Sequence, residues 1–167
     1  MRTEAAVALE HVLVATDFSE PSDKALAYGR ALASRFGAAL HVLHVVQNVY
    51  ISTLGAEACV ALAPDLQQQL EDGARERLTR LLDADRSGPP TTAVVLTSTS
   101  PALAILDYAR GHDIDIIVMG THGRGPLGRL LLGSVAERVV RLAPCPVLTV
   151  RHPQRDFLRQ DARPAGA

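Results

Sequence analysis

Short apolar runs alternate with longer stretches of helical period along the 167-residue chain. His11–Thr16 (HVLVAT) predicts a buried strand. Ser19, with Pro21 close behind, predicts a helix start. Ala25, Tyr28, Leu32 and Phe36 then recur at helical spacing, and Gly37 ends the pattern. Ala39–Val46 (ALHVLHVV) predicts a second strand. Gln47–Ala63 has no clear period and reads as a long loop, a feature that is often functional in a compact domain. Pro64 opens a second helical pattern through Leu66, Leu70, Ala74, Leu78 and Leu81, with Glu71/Arg75 and Glu76/Arg80 as i,i+4 pairs. Thr92–Thr97 predicts a third strand. Ser100-Pro101 opens a helix whose stripe is Ala102, Ile105, Leu106 and Ala109, with Gly111 as its stop. Ile114–Met119 is nearly all apolar, as expected of a strand buried on both faces. A glycine-rich loop follows, then a helix through Val135, Val139 and Leu142. Pro144-Cys145-Pro146 breaks that helix before a last strand, Val147–Val150.

Five strands interleaved with four helices predict an α/β fold, a parallel sheet with helices on both faces. Right-handed crossovers leave few topologies for it. Residues 1–151 read as one domain, and the polar residues 152–167 as a loose tail. Ligands in such sheets sit beyond the C-terminal ends of the strands, at a topological switch point. The loops that follow the strands are therefore where chemistry is expected.

Composition narrows the function classes. With 47% apolar residues the chain can bury a core. A net charge of −1 argues against a nucleic-acid groove, and 4% aromatics with no Trp argues against a base-stacking platform. Lys24 is the only lysine, so a mechanism needing one has a single candidate. Cys59 and Cys145 cannot build a disulfide framework. The first eleven residues lack a long apolar run and do not resemble a signal peptide, and no 18-residue apolar stretch occurs, so a cytoplasmic protein is expected.

Two loops stand out. Thr16-Asp17-Phe18-Ser19 follows the first strand. The fourth strand is followed by a segment with five glycines within 14 residues, Gly120, Gly123, Gly125, Gly128 and Gly133. Glycine loops that lead into helix N-termini expose N–H groups to phosphates. Gly123-x-Gly125-x-x-Gly128 satisfies a dinucleotide spacing, but the next strand ends Val150-Arg151-His152 without the required acid. Gly128-x4-Gly133-Ser134 approximates a P-loop spacing but lacks its lysine.

A third spacing fits better. Gly120-x2-Gly123-x9-Gly133-Ser134 resembles the ATP-binding signature of the universal stress protein family. Val12–Ser19, Leu43-His44-Val45, Asp115–Gly123, Leu132–Glu137 and Cys145-Pro146-Val147-Leu148 extend the likeness over residues 10–151. Ala15 and Thr99 depart from the Pro and Gly that many members carry there. The resemblance implies a doubly wound parallel five-stranded sheet of order 3-2-1-4-5, a three-layer α/β/α, adenine nucleotide alpha hydrolase-like fold. It implies ATP, with Mg²⁺, in a crevice between the first and fourth strands. Thr16 and Asp17 would meet the nucleotide, Asp17 directly or through Mg²⁺. The backbone near Val45 would read the adenine edge. Met119, Gly120 and Gly123 would line the approach to ribose and phosphates, with Arg124 beside them. Gly133, Ser134 and Val135 would hold phosphates at the start of the last helix. A homodimer through Val147, Leu148, Thr149 and Val150, and a signalling partner, are implied as well.

Plainer readings stand beside these. Ser134-Val-Ala-Glu137 has the form of a capping box, which would account for Ser134 by itself. Asp17 could simply hold its own loop. His41 and His44, three apart on a strand, point to opposite faces and form no simple metal pair. The functional reading is a cytoplasmic ATP-binding stress-response protein acting as a sensor or switch. A cyclic nucleotide such as cAMP in the same crevice is the alternative. A slow ATPase or an autophosphorylating protein is another, although no residue for positioning an attacking water is evident. Charge asymmetry suits a polyphosphate: residues 1–119 carry a net of −6, and residues 120–167 a net of +5 from eight arginines and three acids.

Overall fold

Five strands form one all-parallel sheet: His11–Ala15 (β1), Ala39–Gln47 (β2), Thr91–Ser98 (β3), Ile116–Gly120 (β4) and Val147–Val150 (β5). They lie in the order β3-β2-β1-β4-β5 in a computed structural model that describes residues 8–49, 65–83, 88–121 and 132–151. Four helices connect the described strands: Glu20–Phe36 (α1), Leu66–Asp83 (α2), Pro101–Gly111 (α3) and Ser134–Leu142 (α4). The doubly wound architecture and its strand order are those expected. The long loop expected at Gln47–Ala63 lies outside the described residues from residue 50 onwards, Cys59 with it, as do Gly123, Arg124, Gly125, Gly128 and the tail from residue 152.

Side chains alternate across the sheet with the strand period of two. Leu13, Leu43, Ile117 and Met119 face α3 and α4, packing on Ala102, Ile105, Leu106 and Val139. Val12, Val14, Leu40, Val42 and Val118 face the other way, on Ala25, Leu26, Ala33 and Leu78 of α1 and α2. The central strands β1 and β4 are buried on both faces, which explains their continuous apolar composition. The i,i+4 pairs Glu71–Arg75 and Glu76–Arg80 form on α2, each at 3.1 Å.

Three local features differ from expectation. Phe36, at the last position of α1, is exposed, and the buried face is completed by Gly29 and Ala33. A Cβ on Gly29 would overlap Val14 Cγ2, so glycine is what lets α1 lie against β1. The turn after α3 is made by Asp113, in the left-handed region at φ 47°, rather than by Gly111. The Ile114 N–H then reaches back to the Ala109 carbonyl at 3.2 Å, and β4 starts two residues later than its apolar run suggests.

The chain runs from β1 to β2 and β3 on one side, then crosses to β4 and β5 on the other. β1 and β4 therefore flank the switch point. Their registered ends, Ala15 opposite Met119, open towards one crevice.

Candidate nucleotide-binding crevice

The loop after β1 is fixed by short-range hydrogen bonds. Ser22 Oγ donates to the Ser19 carbonyl at 2.7 Å. With that proton committed, Thr16 Oγ1 is the donor in the 3.1 Å bond to Ser22 Oγ. Thr16 Oγ1 also accepts the Phe18 N–H at 3.0 Å. Asp17 Oδ1 accepts both the N–H and the hydroxyl of Ser19, an Asx-type turn. Ser19 is the N-cap residue of α1, but its hydroxyl goes to Asp17 and makes no cap bond. Asp17 thus does hold its own loop. Its second oxygen makes no hydrogen bond to a described residue, and the side chain lies on the crevice wall.

The other wall comes from the end of β4 and the start of α4. The Thr121 N–H donates to the Val150 carbonyl at 2.9 Å, and the Gly133 N–H to the Thr121 carbonyl at 2.6 Å. Thr121 is therefore tied both to the end of β5 and to Gly133. Gly120 was expected to be small so that a ligand could approach. The structure supplies a different reason: a Cβ there would sit 3.0 Å from Pro21 Cβ and 3.2 Å from the Ser22 nitrogen. Glycine at 120 lets the first turn of α1 close onto β4.

Gly133, not Ser134, is the N-cap of α4, at φ −69° and ψ 153°. The Glu137 N–H bonds the Gly133 carbonyl at 2.8 Å. The capping-box reading is therefore corrected: Ser134 is the first helical residue, and no side-chain cap bond forms. Its hydroxyl makes no hydrogen bond to a described residue. The N–H groups of Ser134, Val135 and Ala136 are first-turn donors with no partner inside the helix. A helix start also carries roughly half a positive charge.

These walls enclose a crevice of about 500 Å³, within the range of small-molecule sites. Thr16, Asp17, Val45, Met119, Gly120, Gly133, Ser134 and Val135, singled out from the sequence, all line it. Gly123 and Arg124 lie outside the described residues. Leu43, Val45, Ile105 and Met119 form an apolar floor. β1 ends opposite Leu43, which leaves the Val45 backbone beyond the last β1 pairing. Pro101 and Ile105, from α3, were not foreseen as lining residues. The rule that ligands sit beyond strand ends applies to the loop after β3 too, and would have found Pro101. Glu137, expected only as a cap partner, also lines the crevice, and its exposed carboxylate lies 3.9 Å from Arg141 one turn on. Near the crevice, burial pushes the Asp23 carboxyl up. Arg77 opposes that shift, and the charges of Asp17 and Glu20 add to it.

Comparison with known proteins agrees with this architecture. The family model described as "Universal stress protein family" matches residues 8–151. A universal stress protein of Thermus aquaticus is 37% identical over 142 residues, covering 84% of this chain and 97% of its own. The solved structure of hypothetical protein MJ0577, from Methanocaldococcus jannaschii, superposes with a TM-score of 0.73 at 28% identity, covering 89% of this chain and all of that one. More distant solved relatives share the fold. One is a universal stress protein in complex with cAMP (23% identity, TM-score 0.57, 86% of this chain and 98% of that one). Another is the Archaeoglobus fulgidus protein in complex with dAMP (19% identity, TM-score 0.52, 87% of this chain and 99% of that one). Motif spacing, strand order and these likenesses converge: the chain belongs to the universal stress protein family.

Proposed function

We propose that this protein binds an adenine nucleotide, ATP with Mg²⁺, between β1 and β4, and works in the cytoplasm as a stress-response nucleotide sensor or switch through partners. One observation carries the reading. A single crevice joins an apolar floor to a helix start whose N–H groups and Ser134 hydroxyl are all uncommitted among the described residues. Leu43, Val45, Ile105 and Met119 offer the flat apolar contact an adenine ring needs. The Val45 backbone, beyond the last β1 pairing, would meet its polar edge. Ser134, Val135 and the α4 dipole suit an anionic phosphate.

Mg²⁺ is compatible with this donor set. Among the described residues no three His, Cys, Asp or Glu side chains converge into a metal site. Magnesium is commonly held by one or two carboxylates together with nucleotide phosphates. The free oxygen of Asp17 would be the protein's ligand, and the ion would supply charge neutralisation for the phosphates.

Equilibrium titration with ATP and Mg²⁺ tests the reading. Saturable binding is expected, weakened about ten- to hundredfold in Ser134→Ala by loss of a charge-assisted hydrogen bond. Absence of saturable binding by folded protein would remove it. The cAMP complex of a relative favours a second ligand, the cyclic nucleotide. That ligand has one phosphate and needs fewer donors, so Ser134→Ala should then leave affinity unchanged.

The same reading includes a homodimer through β5. Val147, Leu148, Thr149 and Val150 form an outer strand, and Val140 and Leu142 of the adjacent α4 are exposed. A two-chain mass by light scattering at micromolar protein is expected; a one-chain mass would overturn it.

A further inference from the structure

Asp17 reaches the crevice only because the next residue turns the chain away from it. Phe18 adopts φ 61°, the left-handed region, which a bulky side chain rarely occupies. Such a conformation persists only where its surroundings impose it. The Phe18 N–H bond to Thr16 Oγ1 is one restraint. The others come from side chains on separate elements. The Arg77 guanidinium of α2 stands 4.5 Å from the Phe18 ring centre, in cation–π geometry. Arg77 also donates to the Phe18 carbonyl at 3.4 Å. The His44 ring of β2 lies 4.4 Å from the Phe18 ring, centre to centre. His44 Nδ1 donates to the Thr16 carbonyl at 2.8 Å. The four-residue loop that presents Asp17 is therefore gripped from β2 and from α2.

We propose that Arg77 is a positioning residue for the crevice: by clamping Phe18 in its left-handed conformation it aims Asp17 at the ligand, and it couples α2 to nucleotide binding. The inference rests on the nucleotide reading above. Arg77 does not line the crevice, so its effect must pass through the loop. Its charge supports the role. Asp17, Glu20 and Asp23 gather at the start of α1, and Arg77 is the cation that acts on Asp23 among them. Removing it both frees the Phe18 ring and leaves those carboxylates to repel one another. The coupling is reciprocal by linkage: what displaces α2 should weaken the ligand, and the ligand should steady α2.

Two readouts separate this proposal from the one beneath it. The first needs no ligand. Ser19 N–H exchange with solvent reports the Asx turn at Asp17, because that proton is bonded to Asp17 Oδ1. Exchange should accelerate in Arg77→Ala and return towards wild type in Arg77→Lys, which keeps a cation. The second is ATP–Mg²⁺ affinity. It should fall about three- to tenfold in Arg77→Ala, the scale of one cation–π contact. In Phe18→Gly, which adopts the left-handed region without help, Arg77→Ala should cost clearly less affinity, leaving only the effect of its charge on the carboxylates of α1. Unchanged Ser19 exchange in Arg77→Ala overturns the clamp whatever the ligand does. An equal affinity loss in both backgrounds overturns it too, since Arg77 would then act through its charge and not through Phe18. Altered exchange in a protein that binds no nucleotide upholds the clamp and removes the nucleotide reading.

Discussion

The two ends of the sheet are built from the same strands and are chemically opposite. At the C-terminal end, β1 and β4 stop at a crevice whose Ser134 hydroxyl, helix N–H groups and Asp17 oxygen have no partner among the described residues. At the N-terminal end, the polar groups close on one another. His11 Nδ1 lies 3.3 Å from His41 Nε2, and His41 Nδ1 2.8 Å from the Tyr108 hydroxyl. The His112 ring stacks on Tyr108 at 3.8 Å, and its Nδ1 donates to the Tyr108 carbonyl. Asp115 Oδ2 accepts the N–H groups of both Glu10 and His11, which holds its carboxyl below the usual range. A polar network that satisfies itself fixes structure, whereas groups left unpaired at a helix start are available to a ligand. The count of titratable residues alone would have pointed to the histidines.

The largest effect should come from a site that serves both ends. Gly29 lies over the middle of β1, where a methyl group meets the stiff, β-branched Val14. Gly29→Ala is expected to cost about 2–3 kcal/mol by overpacking. Thermal unfolding should then fall by about 4–12 °C. Loss of nucleotide binding at one end and of histidine-network order at the other should track that loss together. If only one end responds, β1 is not their common support.

Gly120→Ala should separate them. Its Cβ would press on the Pro21 carbonyl carbon at 3.1 Å and on the Ser22 nitrogen. Backbone atoms give way less readily than side-chain tips, so about 1–2 kcal/mol of stability is expected to go. The displaced first turn of α1 carries Ser22, which anchors Thr16. Affinity should therefore fall further than stability, while imidazole resonances of His11, His41 and His112 stay as in wild type. Equal losses at both ends would erase the distinction drawn between them.

What could be read in advance divides along the same line. Apolar runs bounded by Gly, Pro and Ser located every strand within two residues, because buried parallel strands have little compositional freedom. The loops that hold Thr16, Asp17, Gly133 and Ser134 stood out by their positions after strands, and the roles of those residues came from the resemblance to the universal stress protein signature. Contacts between distant segments were not legible. His11, His41 and Tyr108 are 30 and 67 residues apart, and only the β1–β2 register and the packing of α3 on the sheet bring them together. No local pattern announces that a phenylalanine will take φ 61°, since the cause lies in Arg77 and His44. Ser134 was open to misreading because Ser-x-x-Glu and Gly-Ser both suit a helix start. Which residue becomes the cap depends on the Gly133 N–H being held by Thr121.

Acid should act on the closed end first. Burial, then the charges of His11 and His112, hold His41 below the ordinary histidine value of 6.5. Its unfolded form therefore binds the proton at a higher pH than its folded form does. Stability is complete above that unfolded value and falls as pH drops through it towards the folded one. A second proton on the His11–His41 pair would set N–H against N–H. For a partly exposed ring, screening keeps the loss between pH 7 and pH 5 small. Denaturant midpoints across that range should show the slope, and His41→Gln should flatten it while keeping a polar group beside Tyr108. An unchanged slope in that variant would mean that the histidines do not carry the acid response.

The smallest effect is the most discriminating for α2. Gly73 sits one helical turn before Arg77, and a Cβ there would meet nothing within 4 Å. Gly73→Ala should stabilise by about 0.5 kcal/mol, mainly by restricting the unfolded chain. It adds no contact at either end of the sheet. If Arg77 acts only through its guanidinium, ATP affinity and the acid slope should both match wild type while the denaturant midpoint rises slightly. If affinity also tightens, the order of the helix that carries Arg77 limits how firmly Phe18 is held. The open end of the sheet would then depend on a surface helix as much as on the strands that frame it.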